Sequence, residues 1–321
     1  MVSQTAPAVT VNDLVKIYPD PGGGTLRALD GVSFEVAGGE FFGFLGPNGA
    51  GKTTALEIIE GIRQPTSGEV RVLGVDPRKD LDQVKRMIGV QLQAASYFSL
   101  LTITEILELF GSFYPKRRPA RQLLETVGLV DKAKAYIRQL SGGQQRRFSV
   151  AAALVNDPDV IFLDEPTTGL DPQMRHGLWE LLQRLNQKEG KTIVLTTHYM
   201  EEAELLADRV AIIDHGKIKA IDTPRNLIGR LDGVGHIEFA AAAPVDVAEL
   251  TNLAGVTQVT SSGDGSLTPP TYRMAVTDPR TAATSLFAWS EGNGLDLRGL
   301  EVVPGTLEDV FLQLTGRELR E

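Results

Sequence analysis

The chain of 321 residues contains no cysteine. That absence excludes disulfide scaffolds, thiolate metal sites and cysteine nucleophiles together, and it fits a reducing compartment. Long apolar runs are missing as well. No uninterrupted stretch approaches the roughly 18 residues that a membrane span requires, and residues 1–10 lack the charged-then-apolar form of a secretory signal. The chain is therefore expected to be soluble and to stay inside the cell. A basic excess is also lacking, since 32 basic and 41 acidic residues leave a net charge of −9. General nucleic-acid binders carry the opposite balance, so no nucleic-acid partner is expected.

What is present fits a globular protein. Hydrophobic residues make up 42% and charged residues 23%, and at roughly 150 residues per domain the length predicts about two domains. Charge divides the chain unevenly. Residues 232–321 hold 13 acidic and 5 basic residues, for −8, whereas the first 231 hold 28 and 27. A break that abrupt marks a domain boundary. We expect a frayed N-terminus at 1–8, a first domain over 9–222, a linker at 223–235 and an acidic domain over 236–321.

Within the first domain, strands are expected at 9–18, 32–36, 40–45 and 70–73, with a helix at 52–60. A helical stretch over about 94–139 has its clearest helices at 104–113 and 120–127. Strands at 160–163, 192–196 and 210–214 then alternate with helices at 173–187 and 200–207. Apolar strands alternating with amphipathic helices predict an α/β fold with a mostly parallel sheet covered on both faces. The second domain reads strand, helix, strand, strand, helix, strand, with a closing helix at 307–314. That order is the split-βαβ, ferredoxin-like α+β arrangement.

The chemistry is concentrated in short motifs. Gly46-Pro47-Asn48-Gly49-Ala50-Gly51-Lys52-Thr53-Thr54 satisfies G-x-x-x-x-G-K-[ST]. Its glycines let backbone N–H groups turn toward phosphates, and a helix N-terminus adds positive partial charge. Lys52 can reach the β- and γ-phosphates, and the Thr53 hydroxyl is a natural Mg²⁺ ligand. The bland alternative is an accidental glycine loop; the apolar strand before it and the helix after it favour a nucleoside triphosphate. A second apolar strand ends in Asp164-Glu165-Pro166. Asp164 is placed to reach the metal beside Thr53, and Glu165 to orient and deprotonate an attacking water. The polar residues Lys116, Arg117, Arg118 and Arg121 are expected to form a solvated face, with lipid headgroups or a permease loop as the alternative. His176, His215 and His236 show no ligand-like spacing.

Leu140-Ser141-Gly142-Gly143-Gln144 resembles the signature of ATP-binding-cassette (ABC) ATPases, and the rest of that family's set lies in order around it. Tyr18 lies where the family stacks an aromatic ring on adenine, although it also reads as an ordinary strand-end aromatic. Gln93 matches the Q-loop glutamine, with Gln91 as the competing register. Asp171 matches the D-loop and His198 the switch histidine. The resemblance implies an ABC fold with a P-loop core, a β subdomain and a helical subdomain. It implies ATP as substrate, Mg²⁺ held by Thr53, Gln93 and Asp164, and catalytic work by Glu165, His198, Gln93 and Lys52. Ser141 and the amides of Gly142 and Gly143 would meet ATP held by a second copy, giving a homodimer that sandwiches two nucleotides.

The stretch from Thr196 through His198 to Glu204 is similar to drug-resistance export ATPases that pair with a separately encoded permease. The ending over 304–316 resembles the closure of daunorubicin-resistance-type members. These resemblances imply an ATP-hydrolysing subunit at the cytoplasmic face of the membrane, energising efflux of a drug, lipid or polysaccharide. The competing expectation is a soluble ABC ATPase acting on ribosomes or DNA.

Overall fold

The computed structural model describes residues 7–19, 22–92, 97–230, 235–262 and 270–316. The chain divides into two compact units that meet between Thr223 and Pro224 in sequence. In the first, β1 (Val9–Pro19) and β2 (Thr25–Val36) precede β3 (Phe41–Leu45) and α1 (Lys52–Ile59). Next come β4 (Ser67–Val72), α2 (Leu81–Met87) and β5 (Ile88–Gln91), followed by α3 (Ile103–Ser112), α4 (Ala120–Val127) and α5 (Gly142–Ala153). The rest alternates: β6 (Val160–Asp164), α6 (Pro172–Gln187), β7 (Thr192–Thr197), α7 (Met200–Leu206), β8 (Arg209–Asp214) and β9 (Lys217–Asp222).

Two sheets result. One is antiparallel, in the order β2-β1-β4; the other has six strands, in the order β5-β6-β7-β3-β8-β9. In the larger sheet β5, β6, β7, β3 and β8 run parallel, and β9 closes the edge antiparallel to β8. Every residue of β3, β6 and β7 is buried, as expected of parallel strands covered on both faces. Phe34 of β2 stacks on Phe42 of β3 at 5.4 Å and meets Phe44 edge-on at 4.9 Å, which joins the two sheets through one aromatic cluster. On α6, Leu178, Leu181, Leu182 and Leu185 face the core as the spacing predicts, with Trp179 beside them.

Several elements differ from expectation. Strand β2 begins at Thr25 rather than 32 because residues 25–31 pair with β1, down to Pro19 opposite Thr25, although most of them face solvent. Helix α2 and strands β5 and β9 went unforeseen. Strand β5 has only four residues, and β9 is a half-exposed edge strand carrying lysines. Of the basic cluster, Lys116, Arg117 and Arg121 are exposed as a solvated face would be, with Lys116 pairing with Asp157 at 2.8 Å; Arg118 departs from that expectation, pairing with Glu189 at 2.6 Å and lying largely buried.

The second unit opens with α8 (Pro224–Ile228), so the segment expected as a linker starts as a helix whose Leu227 is buried. It continues with β10 (Gly235–Ala241), α9 (Val247–Thr251), β11 (Val256–Ser262), β12 (Thr271–Val276), α10 (Pro279–Asn293), β13 (Leu297–Pro304) and α11 (Leu307–Thr315). The sheet order is β11-β12-β10-β13, antiparallel throughout. From β10 to β13 the order of elements is that of a split βαβ unit. Its core holds Ile237, Phe239, Leu250, Tyr272, Met274 and Leu286. Among the described residues, no helix is long and apolar enough to cross a membrane.

Candidate nucleotide site

Strand β3 is the fourth in the six-stranded order, and the glycine loop leaves its C-terminal end, where ligands of parallel α/β sheets bind. Close approach dictates the loop's glycines. A Cβ on Gly46 would lie 2.3 Å from the Ile213 carbonyl oxygen, and one on Gly51, whose φ is 108°, would lie 2.5 Å from that of Ala28. Gly51 is also the N-cap of α1, and no side chain caps that helix. The first N–H groups of α1 are thus left for an anion, the usual arrangement for phosphate. Asn48 and Gly49 form the exposed tip of the loop, while Ala50 is buried and Thr54 half-buried.

Lys52 is the first residue of α1 and is 4% exposed. Its Nζ donates to the carbonyls of Gly46 at 2.7 Å and Pro47 at 3.1 Å, and lies 3.3 Å from Glu165 Oε1. Burial pulls the lysine below its ordinary pKa, while Glu165 opposes that shift. The Thr53 hydroxyl donates to Asp164 Oδ1 at 3.1 Å, and Thr196 at the end of β7 donates to the same oxygen. Burial raises the Asp164 pKa against these two hydrogen bonds.

Glu165 follows β6 with φ at 45°, a backbone region that residues other than glycine rarely enter. Its amide donates to both the carbonyl and the hydroxyl of Thr196, at 3.2 and 3.0 Å, which holds the strained turn in place. The carboxylate sits between two cations or potential cations. His198 Nδ1 lies 3.5 Å from Oε2, Lys52 Nζ flanks Oε1, and the Thr168 hydroxyl donates to Oε2 at 3.2 Å. His198 and Lys52 hold the Glu165 carboxyl down at about 2. The imidazole is half-buried and packs 4.1 Å from the Tyr199 ring, and its Nδ1, itself buried, makes no hydrogen bond.

Ser141, Asp171 and Tyr18 make their contacts outside this cluster. Ser141 caps α5 in a reciprocal box: its hydroxyl accepts from the Gln144 amide, and Gln144 Oε1 accepts from the Ser141 amide. Ser141 and Gly142 are exposed, Leu140 is buried, and Gly143 packs so tightly that a Cβ would sit 2.5 Å from Met174 Sδ. Asp171 caps α6 by accepting from the Met174 amide at 2.8 Å. The signature and the D-loop residue therefore meet at Met174. Tyr18 is half-buried near the end of β1, with Lys16 and Arg63 over its ring at 5.1 and 5.4 Å. Gln93 lies outside the described residues. Gln91, its competing register, is buried on β5.

Thr196 and Thr168 are site residues that the sequence did not single out. A threonine after an apolar run signals nothing by itself, and only the sheet order places β7 between β6 and β3. Arg146 on α5 reaches the Thr168 carbonyl at 3.5 Å, so a short chain of contacts runs from the signature helix to Glu165.

The loop, its lysine and the Asp164–Glu165 pair at the ends of parallel strands define a P-loop nucleoside triphosphatase. Residues 29–168 match the family model described as ABC transporter. The chain is 39% identical to Nod factor export ATP-binding protein I of Ralstonia nicotianae, over 99% of this chain and 96% of that one. It is 36% identical to linearmycin resistance ATP-binding protein LnrL of Bacillus subtilis, over 93% and 96%. A dimeric ATP-binding cassette in a post-hydrolysis state with ADP and Pi superposes with a TM-score of 0.61 at 32% identity, covering 67% of this chain and 98% of that chain. A similar match, TM-score 0.61 at 28% identity, is to cbiO1 of Clostridium perfringens, part of an ABC transporter complex, over 70% and 91%. The chain belongs to the ABC transporter family, as an ATP-binding and ATP-hydrolysing subunit of the export type.

Proposed function

We propose that two copies of this chain close head to tail on two ATP molecules and drive a separately encoded export permease from the cytoplasmic face of the membrane. The observation that carries this reading is the split of the site. Lys52, Thr53, Asp164, Glu165 and His198 gather in one cluster, whereas Ser141, at the exposed start of α5, bonds to Gln144 and not to that cluster. An exposed helix N-terminus with a hydroxyl and glycine amides suits a γ-phosphate presented by another copy.

In the proposed mechanism, Lys52 Nζ leaves the Gly46 and Pro47 carbonyls for the β- and γ-phosphates. Glu165, held ionised between Lys52 and His198, orients the attacking water and accepts its proton. The His198 Nδ1, buried without a hydrogen bond, is the donor available to the transferring phosphoryl group. Positioning and charge stabilisation supply most of the catalysis in such reactions. Thr53 Oγ1 and Asp164 Oδ1, 3.1 Å apart, form a hard oxygen pair suited to Mg²⁺, with Gln93 as a further ligand. When bound, that ion would neutralise charge on the phosphate oxygens.

Transport requires a membrane partner, and docking through the Gln93 loop and the helices over 94–139 would couple ATP closure to the permease. The cargo is of the drug, lipid or polysaccharide class, in keeping with relatives named for Nod factor export and linearmycin resistance. A pull-down of tagged Glu165→Gln protein from detergent-solubilised membranes with Mg-ATP tests the reading. Stoichiometric recovery of one polytopic membrane protein is expected. Ribosomal proteins or nucleic acid in its place would overturn it.

A further inference from the structure

Glu202 is the third residue of α7 and is 0% exposed, yet the proposed mechanism gives it no part. Its Oε1 accepts from the Trp179 indole on α6 at 2.9 Å, and its Oε2 has no hydrogen-bond partner. Burial pushes the Glu202 pKa up, and the neighbouring side chains of Thr197, Trp179 and Thr167, with the Arg175 cation, draw it back only in part. The hydroxyl of Thr167, also 0% exposed, has no hydrogen-bond partner either. Arg175 faces Tyr199: its guanidinium carbon lies 4.1 Å from that ring's centroid, and its buried Nε makes no hydrogen bond. Across Trp179, the His176 ring packs 4.9 Å from the indole.

An ionised carboxylate in this place would leave Oε2 charged, buried and without a donor, which costs far more than a neutral group does. A proton on Oε2 removes the charge and supplies a donor that Thr167 Oγ1 can accept. Each neighbour of the carboxyl also adjoins a group of the reaction centre. Thr167 precedes Thr168, whose hydroxyl donates to Glu165 Oε2 at 3.2 Å. Thr197 precedes His198, and its carbonyl accepts from the Gly46 amide at 3.4 Å, at the start of the phosphate loop. Trp179 belongs to α6, the helix that Asp171 caps. One buried side chain therefore joins the turn after β6, the end of β7 and α6.

We propose that Glu202 is a positioning residue for hydrolysis: as a neutral acid it bridges the Trp179 indole and the Thr167 hydroxyl, and thereby fixes Thr168 and His198 on Glu165. It acts through those residues and not on the phosphate itself. This rests on the roles proposed for Glu165 and His198 and adds the group that sets their spacing.

The test measures equilibrium ATP binding and single-turnover hydrolysis for the full chain, with Glu202→Gln, Glu202→Ala, Thr167→Val and His198→Ala as variants. Glutamine keeps an oxygen for Trp179 and an amide donor for Thr167, without charge. It should therefore hydrolyse ATP near the parent rate. Glu202→Ala and Thr167→Val should each lose about tenfold or more in rate with ATP affinity kept, since a misplacement of about 1 Å can cost on the order of 10²-fold. Infrared difference spectra between the parent and Glu202→Gln at neutral pH should show one protonated-carboxyl band, present in the parent alone. A rate in Glu202→Gln as low as in Glu202→Ala, or the lack of that band, would overturn the inference. Equal loss of binding and rate in Thr167→Val would assign the contact to folding alone and overturn it too. Should Glu202→Ala not fold, Glu202→Gln and Thr167→Val still decide. If His198→Ala keeps the parent rate, the proposed reaction centre itself is wrong. If His198→Ala slows hydrolysis while Glu202→Ala or Thr167→Val does not, only the role of Glu202 fails.

Discussion

At the scale of single residues, Lys52 and Glu165 touch each other yet should fail differently. Lys52→Ala removes a cation from the bound phosphates in ground and transition states alike, so both ATP affinity and turnover should fall. Glu165→Gln alters only the group facing the attacking water, so turnover should fall by about 10²-fold or more while ATP is retained. Equilibrium binding beside single-turnover hydrolysis separates the two; equal loss of binding in both would contradict the role given to Glu165. Glu60, buried at the C-terminal end of α1, makes a different prediction. Its folded-state pKa of about 8 stands above the ordinary 4.5, so folding is favoured by the bound proton below pH 4.5 and that contribution is lost as pH rises to 8. Thermal unfolding of Glu60→Gln should therefore gain on the parent chain between pH 5 and 8, by no more than about 1.4 kcal/mol per pH unit. A gap that stays constant with pH would contradict the burial argument. The motifs announced Lys52, Thr53, Asp164 and Glu165 because phosphate and metal chemistry needs those groups at fixed local spacing. Glu60 was silent, because its burial depends on β5 and α5, which arrive far later in the chain.

At the scale of elements, helix ends carry local signals that the expected bounds, starting at 104 and 173, did not use. Thr102 and Glu105 cap α3 reciprocally, Ser141 and Gln144 do the same for α5, and Asp171 with Pro172 starts α6. Each cap is a local arrangement of three or four residues, so sequence can report it. Thr102→Ala should cost about 1 kcal/mol and lower the melting temperature by roughly 2–4 °C, with ATP affinity unchanged. A melting temperature that does not move would show that tertiary packing, not the cap, sets the start of α3. Strand β2 and edge strand β9 were harder to read, because residues 25–31 and 217–222 owe their strand form to partners and carry little apolar alternation of their own. The strained turn at Glu165 was invisible for the same reason: the Thr196 contacts that hold it come from a different strand.

At the scale of the molecule, the chain divides at Thr223–Pro224, before α8, ahead of the charge break near residue 231. The acidic unit repeats the βαββαβ order read from its periodicity, since four short alternating strands and two helices leave few ways to bury one sheet face. The family resemblance already set the signature apart from its own phosphate loop, against ATP held by a second copy, and the exposure of Ser141 and Gly142 at the start of α5 suits that placement. This separation is the centre of the account, and sedimentation measures it most directly. Glu165→Gln protein with Mg-ATP should sediment at twice the 34.7 kDa of one chain, and should return to the single mass when Ser141→Arg is added. A mass that stays at one chain under saturating Mg-ATP would contradict the nucleotide-sandwich dimer and the transport mechanism built on it.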